Sequence, residues 1–392
     1  MIFDLHVVLR VALALVCAGV VSLALTPIVK HFAQRIGAMD VPKDDRRMHH
    51  TPIPRMGGLA IFIAFFLTAL LFLKGIDRQM QAILLGAVAI VILGVFDDKY
   101  TLHALLKLVV QIGAACIVVF YGGCRIQYIT DPFGSPGAYF DLGVFSIPLT
   151  IIWIVAITNA VNFIDGLDGL ACGVSCITSV NLLVIALLVS EQNVALTMAA
   201  LAGACLGFLP YNFNPAKIFM GDTGSTFLGF VLATVSIQGL FKSYAVISVA
   251  VPFLLLGLPI FDICFAVIRR LASGRNPMEA DRGHFHHRLI DLGFSQKQSV
   301  AIAYLLTAIL GLAGVLLTSS GASKTILLLL AVVVVGAIGF EIFFRDKNYR
   351  KTLAEERAQE QAAQEQSLQE QPAAQPNAAP AAEQNDGGGD EA

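Results

Sequence analysis

Two adjacent carboxylates stand at the end of one of the apolar stretches of this sequence. Asp97 and Asp98 lie in the sequence Gly94-Val-Phe-Asp-Asp-Lys99. Neighbouring residues of a helix point in different directions, so a single ordinary partner cannot neutralise both side chains. A divalent cation or a proton-accepting role would explain the pair, whereas a solvated helix end is the structural alternative.

A second segment repeats polar residues at every third position: Asn159, Asn162, Asp165 and Asp168. That spacing places them on one side of a helix or of its continuation. Carboxylate and amide oxygens are hard donors that suit Mg²⁺ or Mn²⁺ better than zinc. Asx-Gly turns would account for the two aspartates but not for the two asparagines. The pattern therefore favours a metal or substrate site.

A third polar segment leads into another apolar stretch. It runs Pro210-Tyr-Asn-Phe-Asn-Pro-Ala-Lys-Ile-Phe-Met-Gly-Asp-Thr-Gly-Ser225 and places Asp222 between two glycines. Glycines and a serine at a helix start leave backbone N–H groups that can face phosphate or carboxylate. Asp222 could cap that helix. Because two further acidic segments accompany it, we prefer to interpret Asp222 as a metal ligand.

The fourth segment is basic and contains His284, His286 and His287 between Arg282 and Arg288. A transition-metal site is conceivable for three imidazoles, but no cysteine adjoins them and the neighbouring donors are hard oxygens. Guanidinium and imidazole groups together suit the phosphates of a nucleotide. The segment therefore indicates an anion site.

Long apolar stretches must hold these segments in place. Of the 392 residues, 56% are hydrophobic and only 14% are charged, against about 25% charged in soluble domains. A bilayer core needs roughly 20 apolar residues in a helix. The sequence thus predicts an all-α polytopic membrane protein of about eleven transmembrane helices, at 7–29, 57–73, 80–96, 104–121, 144–161, 170–189, 194–209, 225–240, 245–268, 299–318 and 325–344. Pro252 and Pro259 predict a bend in the ninth span.

The positions of basic residues predict the orientation of the chain. With the N-terminus outside and the C-terminus in the cytoplasm, most of the 26 basic residues fall on the inner side, as the positive-inside rule requires. Five polar segments lie on that side: Asp40–Gly58, Asp97–Lys107, Asn159–Gly169, Tyr211–Ser225 and Asp281–Gly293. Alternating residues at 125–129 and the turn sequence Asp131-Pro-Phe-Gly134 predict a small extracellular hairpin.

The chain divides into three regions by composition. Residues 1–344 form the membrane-embedded part, 345–354 a basic juxtamembrane segment, and 355–392 an acidic Gln/Ala-rich tail that we expect to be disordered in the cytoplasm. A net charge of −2 gives no indication of nucleic-acid binding. Seven cysteines without metal-type spacing support neither a disulfide framework nor a zinc site.

Together the polar segments resemble those of the polyprenyl-phosphate N-acetylhexosamine-1-phosphate transferases, glycosyltransferase family 4. The resemblance covers roughly residues 7–344 and is carried in order by Pro52-Ile-Pro-Arg-Met-Gly-Gly58, Asp97-Asp98, Asn159-x-x-Asn-x-x-Asp-Gly-x-Asp-Gly-Leu170, Asn214-Pro-Ala-x-x-Phe-Met-Gly-Asp-Thr-Gly-Ser225 and His284-x-His-His287. The first and last motifs resemble the WecA/TagO-like branch. Phe285 interrupts the run of adjacent histidines usual in the related MraY branch.

The resemblance implies a reaction and its partners. Undecaprenyl phosphate would attack the β-phosphate of a UDP-N-acetylhexosamine, most simply UDP-N-acetylglucosamine (UDP-GlcNAc), giving a lipid-linked pyrophosphoryl sugar and UMP. This would be the first membrane step of a cell-envelope polysaccharide such as teichoic acid, O-antigen or similar, at the cytoplasmic face of the bacterial inner membrane. Mg²⁺, with Mn²⁺ as a substitute, is the implied cofactor, and homodimerisation is implied only by the resemblance.

The resemblance also implies roles for individual residues. Asn162 and Asp222 match the metal ligands. Asp97 and Asp98 would accept a proton from, or orient, the attacking lipid phosphate, which Lys107 would hold. The donor would be bound by Phe219, whose ring would stack on uracil, by polar contacts from Asp165, Asp168 and Asn212, and by four residues facing the pyrophosphate and sugar: His284, His286, His287 and Arg288.

Two other functions are compatible with parts of the sequence. A phospho-MurNAc-pentapeptide transferase of peptidoglycan synthesis uses the same chemistry on a different donor. A secondary transporter also has many spans and intramembrane carboxylates, but its sites lie near the bilayer midplane and often arise from inverted repeats. Here the carboxylates lie at the cytoplasmic ends of the predicted spans.

Overall fold

The computed structural model describes residues 5–42, 51–73, 75–130, 139–240, 250–274 and 284–318. The helices are α1 (Leu5–Ile36), α2 (Gly58–Phe72), α3 (Arg78–Tyr100), α4 (Ala104–Cys116, continued by a π turn at Ile117–Tyr121), α5 (Ser146–Phe163), α6 (Leu170–Leu188), α7 (Gln192–Asn212), α8 (Gly221–Leu240), α9 (Ala250–Leu255), α10 (Gly257–Ala272), α11 (Phe285–Asp291) and α12 (Gln296–Thr318).

Seven helices within these ranges are long and apolar enough to cross a membrane: Leu5–Ile36, Arg78–Tyr100, Ala104–Tyr121, Gly143–Phe163, Leu170–Leu188, Gln192–Asn212 and Gln296–Thr318. Helix α2 is apolar but shorter. The all-α polytopic prediction is therefore confirmed, while the count of eleven and the orientation stay predictions. The predicted eleventh span at 325–344 and the regions 345–354 and 355–392 lie outside the described residues.

Helices α7 and α8 form the centre of the bundle, with α8 packed between α2, α3, α5 and α6. Close approach depends on small residues, as is usual between membrane helices. A Cβ built on Gly94 of α3 would lie 2.4 Å from the Cα of Thr223 in α8. This contact brings the end of α3 against the first turn of α8, where the acidic residues are.

The predicted bend in the ninth span is confirmed as a break between α9 and α10 at Leu256. Pro259 has no N–H for the carbonyl four residues before it, which is that of Leu255. The hydroxyl of Thr178 in α6 donates to this carbonyl at 3.2 Å. The break is thus stabilised by a neighbouring helix.

Two short antiparallel hairpins complete the described structure. Strand β1 (Met39–Asp40) pairs with β2 (Ile53–Pro54), and β3 (Tyr128–Thr130) pairs with β4 (Tyr139–Asp141). The second is the hairpin predicted from the alternation at 125–129; its predicted turn at 131–134 lies outside the described residues. The side of the membrane on which it lies stays a prediction.

Candidate active site

A cavity of about 580 Å³ lies where α5, α7 and α8 meet the segments that connect them. Its wall combines carboxylates, amides, one guanidinium and one imidazole with the Phe219 ring. The residues that line it are Asp40, Thr51, Ile53, Arg55, Asn162, Asp165, Gly166, Leu167, Asp168, Asn212, Asn214, Pro215, Ala216, Phe219, Gly221, Asp222, His287 and Gln296. Four of the five predicted polar segments thus contribute to one wall.

The side chain of Asp98 caps the N-terminus of α8. Its carboxylate accepts hydrogen bonds from the backbone N–H of Asp222 at 2.9 Å and of Thr223 at 3.1 Å, and from the Thr223 hydroxyl at 2.6 Å. The approach requires Gly221, whose φ is +71° and whose Cβ would lie 2.4 Å from Asp98. The capping carboxylate comes from α3 rather than from Asp222 itself.

Asp97 faces away from Asp98 and pairs with a lysine. Lys107 Nζ donates to Asp97 Oδ2 at 2.8 Å and to Asp222 Oδ2 at 3.1 Å. The other oxygen of Asp97 accepts the N–H of Leu102 at 2.7 Å. Lys107 therefore joins the acidic pair of α3 to the cavity residue Asp222, although neither Lys107 nor Asp97 lines the cavity.

Asn162 and Asp222 are in direct contact. The Asn162 amide nitrogen donates to Asp222 Oδ1 at 3.2 Å and to Ser225 Oγ at 2.7 Å. Asn159, three residues earlier, does not join them: its amide pairs reciprocally with Gln111 of α4, at 2.7 and 3.3 Å. Only three of the four regularly spaced polar residues therefore reach the cavity.

Asp165 and Asp168 lie in the turn between α5 and α6, outside the helices. Asp168 accepts from the Asn214 amide at 2.9 Å and from the N–H of Ala216 at 3.0 Å. Burial, followed by the charges of Asp222 and Asp98, raises the pKa of Asp165 to about 8. Burial and the neighbouring carboxylate of Asp222 thus both disfavour the charged form of Asp165.

The connection between α7 and α8 is fixed by backbone pairing with the segment before α2. Phe219 N–H donates to the carbonyl of Pro54 at 2.8 Å, and Gly57 N–H donates to the carbonyl of Phe219 at 2.9 Å. The Asn212 side chain donates to the carbonyl of Ile218 at 3.1 Å, while its buried Oδ1 has no hydrogen-bond partner among the described residues. That oxygen can accept a hydrogen bond from a ligand.

Helix α11 directs the side chains of the predicted histidine group to different neighbours. Only His287 lines the cavity. His286 is buried, and burial together with neighbouring His287 lowers its pKa to about 3, so its ring is neutral. The guanidinium of Arg288 lies 4.4 Å from the ring centre of Phe265 in α10. His284 forms a 2.8 Å contact with Asp262, also of α10.

Sequence reasoning assigned no role to several residues that the site uses. Arg55 lies in the Pro52–Gly58 motif and lines the cavity, as do Asp40 and Gln296. The Asn214 amide reaches Gln296 Oε1 at 2.7 Å. Arg55 could have been singled out because it stands just before two glycines and an apolar stretch. Gln296 has no motif around it.

Comparisons with known proteins identify relatives of this chain. The family described as glycosyl transferase family 4 matches residues 80–240. The chain is 42% identical over 314 residues to a Bacillus subtilis protein named a probable undecaprenyl-phosphate N-acetylglucosaminyl 1-phosphate transferase, covering 80% of this chain and 86% of the relative. It is 37% identical over 324 residues to the Mycobacterium tuberculosis decaprenyl-phosphate N-acetylglucosaminephosphotransferase, covering 76% and 80%.

A more distant relative has the same kind of name. The undecaprenyl-phosphate alpha-N-acetylglucosaminyl 1-phosphate transferase of Escherichia coli K12 is 27% identical over 288 residues, covering 72% of this chain and 77% of the relative. The similarity to the Bacillus subtilis protein extends over most of both chains. The chain therefore belongs to glycosyl transferase family 4, as a multi-pass membrane protein.

Proposed function

We propose that this protein transfers GlcNAc-1-phosphate from UDP-GlcNAc to undecaprenyl phosphate. An oxygen of the lipid phosphate attacks the β-phosphorus of the donor, the bond between that phosphorus and the bridging oxygen breaks, and UMP leaves. The single observation that carries the proposal is the Lys107 bridge between Asp97 and Asp222. It places an ammonium group beside the wall of a cavity large enough for a nucleotide sugar.

Asp97 and Lys107 act on the acceptor in this proposal. Two anionic substrates must meet, so charge neutralisation and positioning are the main physical tasks. Lys107 Nζ supplies a positive charge for the lipid phosphate, and Asp97 either accepts a proton from that phosphate or orients it. Asp98 acts differently because its side chain is buried and caps the N-terminus of α8; it positions Asp222.

The residues of the cavity suit Mg²⁺, with Mn²⁺ as a substitute. Asp222 and Asn162 offer hard oxygens, and Asp40, Asp165 and Asp168 add further carboxyl groups to a wall that holds one guanidinium. Within the described chain no three His, Cys, Asp or Glu side chains come together as a protein-only metal site. Mg²⁺ is usually held by one or two carboxylates together with substrate phosphates. When bound, the ion would neutralise the developing charge on the diphosphate.

The remaining cavity residues are proposed to bind the donor. The Phe219 ring lines the cavity and would stack on uracil, and the buried Asn212 Oδ1 can accept the uracil N–H. Asp165 and Asp168 supply further polar contacts, and His287 faces the diphosphate or sugar. His284, His286 and Arg288 are not among the described residues that line the cavity, and in this proposal they position His287.

The proposed location follows from the same reaction. Polyprenyl phosphates are membrane lipids and UDP-sugars are water-soluble, so the cavity must open at the membrane surface. We propose the cytoplasmic face of a bacterial inner membrane, with initiation of an envelope polysaccharide as the biological role. Homodimerisation stays a prediction.

The proposal is tested with purified full-length protein, undecaprenyl phosphate and MgCl₂. UDP-GlcNAc, UDP-N-acetylgalactosamine and UDP-MurNAc-pentapeptide are supplied separately, and UMP release and the mass of the lipid product are measured. Asp222→Ala serves as the inactive control. We expect product from UDP-GlcNAc. Product from UDP-MurNAc-pentapeptide alone would assign the protein to peptidoglycan synthesis, and no product from any donor in folded protein would refute the proposal.

A further inference from the structure

The two adjacent carboxylates of α3 face two different cations. Lys107 Nζ lies 2.8 Å from Asp97 Oδ2, whereas Arg55 Nε lies 3.7 Å from Asp98 Oδ1. Arg55 and Lys107 therefore approach the acidic pair from different elements, one before α2 and one in α4. Of the two cations, only Arg55 lines the cavity.

Arg55 is positioned for more than the neutralisation of Asp98. The Asp98 carboxylate already accepts two backbone N–H groups and a hydroxyl at 3.1 Å or less. The nearest described carboxylate contacts of Arg55, with Asp98 at 3.7 Å and with Asp40 at 4.0 Å, exceed hydrogen-bond length. A guanidinium carries five N–H donors, so these carboxylates leave donors for a ligand.

The backbone of this segment is fixed beside Phe219. Pro54 accepts the Phe219 N–H, and Gly57 donates to the Phe219 carbonyl, so Arg55 lies between two backbone hydrogen bonds to the loop that carries Phe219. Beyond them Gly58 packs against α8: a Cβ there would lie 2.0 Å from the Cα of Gly224. The Arg55 side chain therefore extends from a rigid support into the cavity.

The electrostatic surroundings hold Arg55 in its charged form. Burial alone would lower the pKa of Arg55, but the carboxylates of Asp98, Asp222, Asp40 and Asp165 outweigh burial and raise it. Among the described lining residues, Arg55 is the one side chain with a permanent positive charge. A planar guanidinium matches two oxygens of a phosphate group.

We propose that Arg55 binds the diphosphate of the nucleotide-sugar donor, so that donor and acceptor phosphates are held by separate cations, Arg55 and Lys107. This inference rests on the proposed function, because it takes the donor to be a nucleoside diphosphate sugar. The alternative is a purely structural role in which Arg55 only neutralises Asp98. If Arg55 binds the diphosphate, its replacement weakens the binding of UDP but not of uridine. If Arg55 only neutralises Asp98, the two ligands are affected alike.

The test compares ligands with and without phosphate on the full-length protein. The dissociation constants of UDP and of uridine are measured by calorimetry in detergent at fixed MgCl₂, for wild type, Arg55→Gln, Arg55→Lys and the exposed control Arg35→Gln. We expect Arg55→Gln to bind UDP at least about tenfold more weakly with uridine unchanged. Arg55→Lys keeps the positive charge but cannot form the two parallel hydrogen bonds of a guanidinium, so we expect a partial loss of UDP affinity. Arg35→Gln should bind both ligands as wild type does.

Two results would overturn the inference. Arg55→Gln could bind UDP as wild type does, or it could lose UDP and uridine affinity equally, which would indicate structural damage near Asp98. Where Arg55→Gln does not fold, Arg55→Lys decides, and wild-type UDP affinity in that variant refutes the guanidinium contact. Failure of the wild-type protein to form lipid-linked GlcNAc would refute the proposed reaction, while the ratio of UDP to uridine affinity still decides the role of Arg55.

Discussion

Asp262 accepts a hydrogen bond from ring nitrogen Nδ1 of His284 at 2.8 Å. Because a carboxylate oxygen accepts hydrogen bonds, this contact places a proton on Nδ1 and fixes the orientation of the imidazole ring. The second oxygen of Asp262 accepts the N–H of Phe285 at 2.6 Å, at the start of α11. One buried carboxylate on the broken α9–α10 pair thus holds both the first histidine and the helix that follows it.

Replacing Asp262 by asparagine should therefore loosen α11. An amide has one acceptor oxygen for two donors, so one of the two hydrogen bonds is lost. We expect a stability loss of about 1–3 kcal/mol and a reduced kcat with UDP-GlcNAc, because His287 belongs to the same short helix. Asp291→Asn, at the exposed end of α11, is the matched control and should change neither thermal unfolding nor turnover.

Asp97 should be essential for turnover. Its carboxylate holds Lys107, and a general base typically contributes about 10²–10⁴-fold to the rate. We expect Asp97→Asn to lower kcat by roughly that factor, while UDP binding stays close to wild type because Asp97 does not line the cavity. Lys99→Gln removes an exposed charge two residues away and serves as the control.

The pH profile of Asp97→Asn separates the two roles left open for this residue. A lost base changes the pH dependence of kcat, whereas a lost orienting group lowers kcat by the same factor at every pH. Near wild-type turnover at every pH tested would rule out both.

Metal removal should abolish the reaction. We expect EDTA to stop UMP release, and Mg²⁺ or Mn²⁺ to restore it, because Asp222 and Asn162 are the proposed oxygen ligands. Asn162→Ala should raise the Mg²⁺ concentration needed for half-maximal activity. Asp141→Asn, on the exposed strand β4, should leave that concentration unchanged. Full activity of the wild type in EDTA would contradict the proposed cofactor.

The raised pKa of Asp165 has a consequence for stability. A folded-state pKa of about 8 lies above the unfolded value of about 3.9, so between these values the unfolded chain binds fewer protons and stability falls as pH rises. Without divalent cations, Asp165→Asn should raise the unfolding temperature more at pH 9 than at pH 5. Mg²⁺ should reduce that difference because it compensates the same charge. An equal effect at both pH values would show that Asp165 is not held in its protonated form.

The sequence predicted the chemistry of the site better than its geometry. The residue types and their spacing were sufficient to predict the acidic pair, the amide and carboxylate donors, the hairpin and the proline break. It could not show that Asn159 pairs with Gln111, because this depends on the packing of α4 against α5. Nor could it show that α5 ends at Phe163, so that Asp165 and Asp168 lie in a turn instead of the helix. A period of three residues does not indicate where a helix stops.

The histidine group shows a second limit of prediction from the sequence. His286 and His287 are adjacent on α11, where successive residues are rotated by about 100°, and of the two rings only that of His287 is among the described lining of the cavity. Recognition of α11 as a helix would have predicted this division. The capping of α8 by Asp98 was beyond sequence reasoning, because it depends on the close contact of α3 with α8 rather than on residues near Asp98.

That contact gives the last prediction. A Cβ on Gly94 would lie 2.4 Å from the Cα and 2.7 Å from the backbone nitrogen of Thr223, so Gly94→Ala must separate α3 from α8. The displacement would pull Asp98, one turn further along α3, from the N–H groups that it caps. We expect a stability loss of about 1–3 kcal/mol and a loss of activity.

The matched control is Gly113→Ala in α4, where a Cβ meets nothing within 4 Å. An alanine in a helix interior is favoured over glycine by about 0.5–1 kcal/mol, so this variant should be as stable as wild type or more stable. The buried thiols of Cys172, Cys176 and Cys205 allow unfolding to be followed with a thiol-reactive fluorophore in detergent. If Gly94→Ala unfolds at the wild-type temperature, α3 and α8 do not pack closely enough for Asp98 to depend on that contact.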